Sequence, residues 1–258
     1  AELKKNDLTY KAINACISFV TILQGKQLII VEDLLDSKGS LHPVQKAMVD
    51  YHGSQCGFCT PGFVMSLFSM FKNYPRFKNS IIKDSISGNL CRCTGYQPII
   101  KAAKSLNNRN KTDHFTKNKK NMISLLKKIN NESIVIYKKD KKYFAPRYVQ
   151  ELKKILKKNI DSHLLSGGTD LSLAVTKERK DLNSIIYINS INELNYIKSN
   201  TKYIEVGAAA PLTKFENYIQ KYYPDFTTIL QRYGSVQIRN VATIAGNIAT
   251  ASPIGDTL

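Results

Sequence analysis

The 258 residues of the chain are enough for two modest domains, and its apolar and charged shares, 43% and 22%, are ordinary for a globular protein. No stretch approaches the roughly 18 apolar residues of a membrane helix, so we expect no membrane association. The net charge of +18 is concentrated between residues 101 and 142, where 13 Lys and Arg stand against 3 Asp and Glu. Because aromatic and arginine residues are not regularly interleaved with these lysines, the pattern favours a solvated linker over a nucleic-acid surface.

The first 36 residues contain two apolar runs on either side of Gly25, and their β-branched residues predict a small hairpin or the last strands of a β-rich domain. Apolar residues then recur at helical spacing, and Thr60-Pro61 is a strong helix start. Residues 37–106 are therefore predicted to form a compact bundle. Its four helices are predicted near residues 43–51, 60–73, 80–87 and 96–106.

The second half of the chain has a different pattern. Residues 107–142 are polar and lysine-rich, which predicts a basic linker. Strands and helices alternate after it, which predicts an α+β or α/β domain over residues 143–258. Helices are predicted at 148–158, 212–221 and 226–233, and strands at 184–188, at 203–206 and leading into Ser166.

Four of the five cysteines form two tight pairs, C-x2-C and C-x-C, at Cys56, Cys59, Cys91 and Cys93. This grouping suits metal binding in a reducing compartment better than a disulfide framework, so we expect a cytoplasmic protein. Structural zinc usually takes two C-x2–4-C knuckles of similar shape, whereas the unequal pairs here also suit a two-iron cluster. Spacing alone favours iron–sulfur and leaves zinc open.

The runs HGSQCGFCTPGFVMS and GNLCRCTGYQPI resemble the helical [2Fe–2S] domain of the molybdenum hydroxylases, the family of xanthine dehydrogenases and aldehyde oxidases. The resemblance implies that all four of these cysteines are cluster ligands. It also implies that Gln55, beside the first ligand, lies near the molybdopterin cofactor of a partner unit.

The same resemblance gives Cys16 a role. In this family a plant-type ferredoxin domain of the β-grasp fold precedes the helical bundle, and the context YKAINACISFVTILQGKQLIIVEDL resembles its end. Cys16 would then be the fourth ligand of a second [2Fe–2S] cluster, whose other three ligands are not in this sequence. Residues 1–36 are accordingly expected to be the remnant of a truncated domain.

Two further stretches, LLSGGTDL and SVQIRNVATIAGNIATASPIGD, carry glycines that let a backbone approach a ligand closely. Both resemble the family's FAD-binding domain of the PCMH type, of which residues 143–258 would be the incomplete N-terminal part. Ala245 stands where many members have glycine. The FAD-binding residues that the resemblance implies are Leu164, Leu165, Ser166, Gly167, Gly168, Thr169, Asp170, Leu171, Tyr233, Thr243, Ile244, Ala245, Gly246, Asn247 and Asp256.

The expected fold is thus multidomain α+β, and the order of domains resembles the small subunit of a bacterial two-subunit xanthine dehydrogenase. The resemblance implies an electron relay from a large molybdopterin-binding subunit, which oxidises hypoxanthine and xanthine to urate, through [2Fe–2S] clusters to FAD and NAD. A dimer of heterodimers is expected, with no catalytic residue on this chain. The alternatives are the same relay in an aldehyde- or N-heterocycle-oxidising enzyme, and a zinc-stabilised module that binds nucleic acid. The four histidines occur singly, and we expect them on helix surfaces or in loops.

Overall fold

The computed structural model describes residues 1–129, 132–251, 255 and 257. The chain divides into two compact units. The first contains Ala1–Ala12 and Gly25–Ile129, and the second contains Ile13–Gln24 and Asn130–Leu258. The first 36 residues, which the sequence suggested as one domain remnant, are therefore shared between the two units.

The first unit is a helical bundle with a two-stranded antiparallel hairpin. Its elements are β1 (Glu2–Lys4), β2 (Asp7–Thr9), α1 (Pro43–Asp50), α2 (Thr60–Asn73), α3 (Asn79–Ile86), α4 (Gln97–Ser105), α5 (His114–Lys117) and α6 (Lys119–Lys128). The four predicted helices are confirmed as α1 to α4. Among the side chains that close their shared core are Val44, Leu67, Phe71, Ile82 and Ile99, all nearly or fully buried.

The segment predicted as a linker is instead partly helical. Helices α5 and α6 lie within residues 107–142, and Phe115 and Leu126 from them are buried in the core of the first unit. Because lysines stand between these apolar residues, the composition of the segment resembles that of a solvated linker. Met122 and Ile123 of α6 also pack against this core, so a few apolar side chains are enough to dock these short helices.

A buried polar network joins the same segment to the bundle. Asp113 accepts from the Nε2 of His42 at 2.9 Å and from the Nζ of Lys72 at 2.8 Å, and the backbone N–H of Thr116 also donates to it. The Nδ1 of His42 accepts from the backbone N–H of Val44, so the ring proton lies on Nε2. The expectation that His42 is a surface or loop residue without a carboxylate partner was wrong, because its partner lies 71 residues away in sequence.

The second unit has a four-stranded sheet, a small hairpin and several helices. Its elements are β3 (Ile134–Lys138), β4 (Lys141–Ala145), α7 (Val149–Lys158), β5 (His163–Leu165), α8 (Leu171–Thr176), β6 (Ser184–Tyr187), β7 (Ile197–Ser199), β8 (Ile204–Val206), α9 (Leu212–Ile219), α10 (Pro224–Arg232), α11 (Val236–Arg239) and α12 (Ile244–Thr250). The sheet has the order β3-β4-β6-β5, in which only the β3–β4 pair is antiparallel. β7 and β8 form the hairpin.

Both faces of the sheet are covered because its central strands are apolar on both sides. On one face, Phe144 and Ile186 pack against the apolar stripe of α7. On the other face, Leu165 and Tyr187 pack with Phe19 and Ile22 from the segment Ile13–Gln24. This early segment is thus part of the second unit's core.

The predicted hairpin around Gly25 is absent from the described residues. Ala15–Ile17 and Val20–Leu23 are 3-10 turns instead. Ile13 and Leu23 also pack in the core of the second unit. Phe19 and Ile22 are three residues apart, which matches one turn of a 3-10 helix and not the two-residue period of a strand. No helix in the described residues is long and apolar enough to cross a membrane.

Candidate functional site

The four clustered cysteines lie on two loops at one end of the bundle. Cys56 and Cys59 lie between α1 and α2, and Cys91 and Cys93 lie between α3 and α4. All four are free thiols, and Cys56 and Cys93 are exposed. Gly57 has a φ of +85°, a conformation that suits glycine and turns the first loop back toward the second.

The thiols contact one another across the two loops. Cys59 hydrogen-bonds with Cys91, and Cys56 hydrogen-bonds with Cys93. The two loops therefore bring all four thiols together. No three His, Cys, Asp or Glu side chains in the part of the chain that the structure describes surround a single ion position. Two pairs of thiols are the ligand set that a two-iron cluster requires.

Polar groups around the second loop stabilise the thiolate of Cys91. The hydroxyl of Thr94 lies 3.2 Å from the Sγ of Cys91, and its hydrogen bond lowers the pKa of that thiol to about 7. Burial, followed by the hydrogen bond with Cys91, raises the pKa of Cys59 to about 11. The backbone N–H of Cys91 donates to the hydroxyl of Tyr96, whose ring packs edge-on against Phe63. The loop is therefore held to the bundle by groups other than the cysteines.

Asn89 also positions the second loop, and the sequence analysis missed it. Its Nδ2 donates to the hydroxyl of Ser66 on α2 at 2.8 Å, and its Oδ1 lies where a Cβ on Gly62 would be. Gly62 therefore leaves the space in which Asn89 joins α2 to the segment before Cys91. The signal was present in the quoted runs, as the glycine after Thr60-Pro61 and the asparagine two residues before Cys91.

The surface beside the cysteine loops is unusually apolar. Phe58, between the first two cysteines, is 95% exposed, and Leu90, just before Cys91, is 83% exposed. Gln55 is exposed next to Cys56. Large exposed apolar side chains grouped at one place commonly mark an interaction surface.

The glycine turn of the second unit follows strand β5. Its residues 166–170 connect β5 to α8, and the hydroxyl of Ser166 donates to the Oδ1 of Asn189 at 2.6 Å. Leu165 is fully buried in the core, so only its backbone is available to a ligand, whereas Leu164 and Asp170 are exposed. Thr169, Gly168 and Leu171 are partly exposed.

The two glycine stretches of this unit meet at Gly167. A Cβ on Gly167 would lie 1.9 Å from the carbonyl oxygen of Val241, so the two backbones are in direct contact there. Thr243 begins α12, and its hydroxyl accepts from the backbone N–H of Gly246 at 3.1 Å. Residues 164–171 and 243–247, which are far apart in sequence, therefore form one site. Ile244, Ala245 and Asn247 are partly exposed there.

Tyr233 joins the same site through its hydroxyl. The Nδ2 of Asn247 donates to it at 2.7 Å, and the hydroxyl of Thr257 donates to the Oδ1 of Asn247. The glycine turn, the capped start of α12 and the partly exposed Tyr233 therefore lie at one place in the second unit. Asp256 lies outside the described residues.

Cys16 is exposed and belongs to the second unit, whereas the other four cysteines belong to the first unit. It lies in the turn Ala15–Ile17, three residues before Phe19. The ring of Phe19 lies 3.1 Å from the position of a Cβ on Gly168, which brings this segment to the glycine turn.

Two known domain families match the chain. Residues 30–104 match the [2Fe-2S] binding domain family, and residues 137–258 match the family described as FAD binding domain in molybdopterin dehydrogenase. The first match favours iron–sulfur over zinc for the clustered cysteines.

Similar curated proteins are xanthine dehydrogenases. That of Emericella nidulans is 29% identical over 96% of this chain and 22% of its own length. Xanthine dehydrogenase 1 of Arabidopsis thaliana is 30% identical over 98% of this chain and 23% of its own length. The chain thus spans less than a quarter of the length of these relatives. It belongs to the molybdenum hydroxylase family, of which it contains a [2Fe–2S]-binding domain and an FAD-binding domain.

Proposed function

We propose that the chain is the electron-transfer part of a molybdenum hydroxylase of the xanthine dehydrogenase type. The observation that carries the proposal is the order of the two matched domains, [2Fe–2S] then FAD, on one chain whose relatives are xanthine dehydrogenases. A partner unit with molybdopterin would oxidise hypoxanthine and xanthine to urate. This chain would conduct the electrons toward NAD, in the cytoplasm.

The bundle would hold one [2Fe–2S] cluster, with Cys56 and Cys59 on one iron and Cys91 and Cys93 on the other. The contacts of Cys59 with Cys91 and of Cys56 with Cys93 support one shared site for all four thiols. Tyr96 and Asn89 keep the second loop in place, so the ligands are preorganised before metal binds. Cys16 would be the ligand that this chain contributes to a second cluster.

The second unit would hold FAD. The backbone of residues 164–171 would contact the pyrophosphate, and Thr243 to Asn247 would add backbone and hydroxyl contacts. Tyr233 would lie beside the cofactor, and Asp256 near its phosphate–ribitol region. When bound, the clusters supply one-electron transfer, and FAD couples it to a two-electron acceptor. The chain's own residues bind and orient these groups.

The large molybdopterin-binding subunit would dock on the apolar surface beside the cysteine loops. Phe58 and Leu90 flank the proposed cluster ligands and would be buried by such a partner. Gln55, exposed beside Cys56, would face the molybdopterin side. The assembly that we propose is a dimer of such heterodimers.

Metal and flavin analysis of the full chain tests the proposal. Anaerobic expression is expected to yield a brown protein with two iron and two sulfide per bundle, and with a [2Fe–2S] EPR signal after dithionite reduction. Substituting Cys91 by serine should abolish that signal, whereas substituting Cys16 should not. A colourless, iron-free product, or stoichiometric zinc in its place, would refute the cluster assignment.

The substrate is tested on the assembled complex. Turnover of hypoxanthine and xanthine with reduction of NAD is expected. If only an aldehyde or another N-heterocycle is turned over, the proposed electron relay stands and the proposed substrate is wrong.

A further inference from the structure

Arg239, at the end of α11, is a fully buried charged residue that the proposed cofactor contacts do not use. None of its surface is exposed. Its Nε donates to the Oε2 of Glu216 on α9 at 3.2 Å. Its Nη1 lies 3.2, 3.3 and 3.4 Å from the carbonyl oxygens of Gln231, Tyr233 and Gly234.

The carbonyl contacts of Arg239 all lie in one turn, the turn that ends α10. The last carbonyls of a helix have no partner within it, and a cation is favourable at that end. Gly234 has a φ of +56°, so the chain changes direction there. The guanidinium therefore holds residues 231–234 in a defined conformation.

Space filling alone does not account for an arginine at this position. Burying an ion pair costs desolvation energy, and an apolar side chain of similar size often stabilises a core as well or better. What an apolar side chain cannot do is bind three carbonyl groups of one turn and a carboxylate on a neighbouring helix together. The contacts therefore favour a role in positioning the turn.

The residue that this turn presents to the glycine-lined site is Tyr233. Its hydroxyl accepts from Asn247 on α12, the helix that begins at Thr243. A shift of the turn would move the ring and break this hydrogen bond. Glu216, Arg239, Tyr233 and Asn247 thus form a continuous chain of contacts from α9 to α12.

We propose that Arg239 is a positioning residue that holds the ring of Tyr233 against Asn247 and so sets its orientation at the flavin site. It acts through Tyr233 and does not itself contact the cofactor. The effect on flavin rests on the proposed function. The effect on Tyr233 does not.

The test uses the full chain labelled with ¹³C in its tyrosine rings, with Arg239→Lys as the main variant. Lysine keeps the charge, but it lacks the planar fork that reaches Glu216 and the carbonyls together. The Tyr233 resonance is identified by its absence in Tyr233→Phe. We expect Arg239→Lys to shift this resonance, to change the visible circular dichroism of bound FAD and to weaken FAD binding about tenfold, the effect of roughly one lost charge-assisted hydrogen bond.

Arg232→Lys is the matched control. Arg232 is exposed on α10, one residue before Tyr233, and the same substitution there should leave the resonance and FAD binding unchanged. Iron content should be unchanged in both variants. If Arg239→Lys does not fold, Glu216→Ala, which removes the anchor of Nε, must shift the Tyr233 resonance in the same direction.

An unchanged Tyr233 resonance in the folded Arg239→Lys variant would overturn the proposal, whatever happens to FAD. A shifted resonance with wild-type FAD binding and flavin dichroism would overturn its flavin half. A wild-type chain that binds no FAD would refute the proposed flavin site, and the Tyr233 resonance would still decide whether Arg239 positions that ring.

Discussion

Gly167 is the residue at which the two stretches of the proposed flavin site touch. No side chain fits at this position, because a Cβ would lie 1.9 Å from the carbonyl oxygen of Val241. Backbone atoms cannot move aside as the end of a flexible side chain can. The relative placement of the β5 turn and of Thr243 therefore depends on this one glycine.

Substituting Gly167 by alanine should force the two backbones apart. We expect a loss of about 1–3 kcal/mol in the free energy of unfolding of the second unit, the typical cost of overpacking, together with a marked loss of bound FAD. Chemical denaturation and the FAD-to-protein ratio after gel filtration measure the two effects. Gly207→Ala is the control, because its Cβ would lie 2.2 Å from the carbonyl oxygen of Leu194, outside the proposed site. Equal FAD loss at equal stability in both variants would contradict the role given to Gly167.

In the first unit, Asp113 is the residue at which separate parts of the chain meet, because it binds both His42 and Lys72. Burial alone would raise the pKa of its carboxyl, but hydrogen bonds from His42, Lys72 and Thr116 outweigh it and hold the pKa well below the usual range. The carboxylate is thus bound more tightly as an anion in the folded than in the unfolded chain. Its contribution to stability is present above the ordinary value of 3.8 and is lost as the pH falls through the lower folded value.

Asp113→Asn should lower the free energy of unfolding of the first unit by about 3 kcal/mol, because it leaves the buried Lys72 cation without its carboxylate. Calorimetry across acid pH should show that the wild type loses stability more steeply than the variant below about pH 4. Asp50→Asn removes an exposed carboxylate paired with Lys46 and Arg109, and it should change little. Parallel acid profiles for the wild type and Asp113→Asn would contradict the assignment.

At the scale of elements, the buried core of the bundle consists of side chains other than the cysteines, and only the half-buried Cys59 and Cys91 pack against its edge. Helices α1 to α4 bury apolar side chains against one another, whereas Cys56 and Cys93 are exposed at the ends of the loops. The helices should therefore form before the cluster is inserted. This differs from zinc fingers, in which metal binding supplies the folding energy.

Replacing all four clustered cysteines by serine should abolish iron binding and leave the far-ultraviolet circular dichroism and cooperative unfolding of the bundle in place. Phe71→Ala truncates a buried side chain of the bundle core. It should lower the free energy of unfolding by about 3–5 kcal/mol while the four cysteines remain in place. Loss of helical signal in the four-serine chain would show that the cluster is needed for folding.

The helices of the bundle could be predicted because their signals are local: a proline in the first turn and apolar spacing over consecutive turns. Strands β3 and β4 were missed because the lysines around their turn outweighed the apolar runs 134–137 and 143–145 in the composition. The grouping of the four cysteines and the glycine turn were predicted from their motifs, and their roles as ligands stay predictions. The contacts of His42 with Asp113, of Gly167 with Val241 and of Arg239 with Glu216 could not be, since each joins residues 23 or more apart in sequence.

At the scale of the whole molecule, the chain forms two units, each with its own core and proposed cofactor. The apolar surface beside the cysteine loops is the part of the first unit best suited to a partner. A partner would remove the exposed apolar side chains of Phe58 and Leu90 from water, which is favourable. Net charge does not identify this surface, since the lysines are spread over both units.

Phe58→Asp should weaken binding of the molybdopterin-binding subunit at least about tenfold, as loss of a central aromatic contact commonly does. Iron content and the EPR signal should stay as in the wild type. Ile160→Asp changes an 84% exposed side chain of the second unit and should leave binding unaltered. Titration of labelled chain with the subunit measures both, and equal affinities would refute the docking surface.

The place of Ile13–Gln24 in the second unit has a consequence for how the chain is made. This segment precedes residues 25–129 of the first unit, but strands β4, β5 and β6, which cover Phe19 and Ile22, follow them and are synthesised only after residue 140. During that interval the first unit can complete its fold while these apolar side chains stay uncovered. The nascent chain is therefore most open to chaperone binding at an early segment, and a fragment that begins after residue 130 would lack part of its own core.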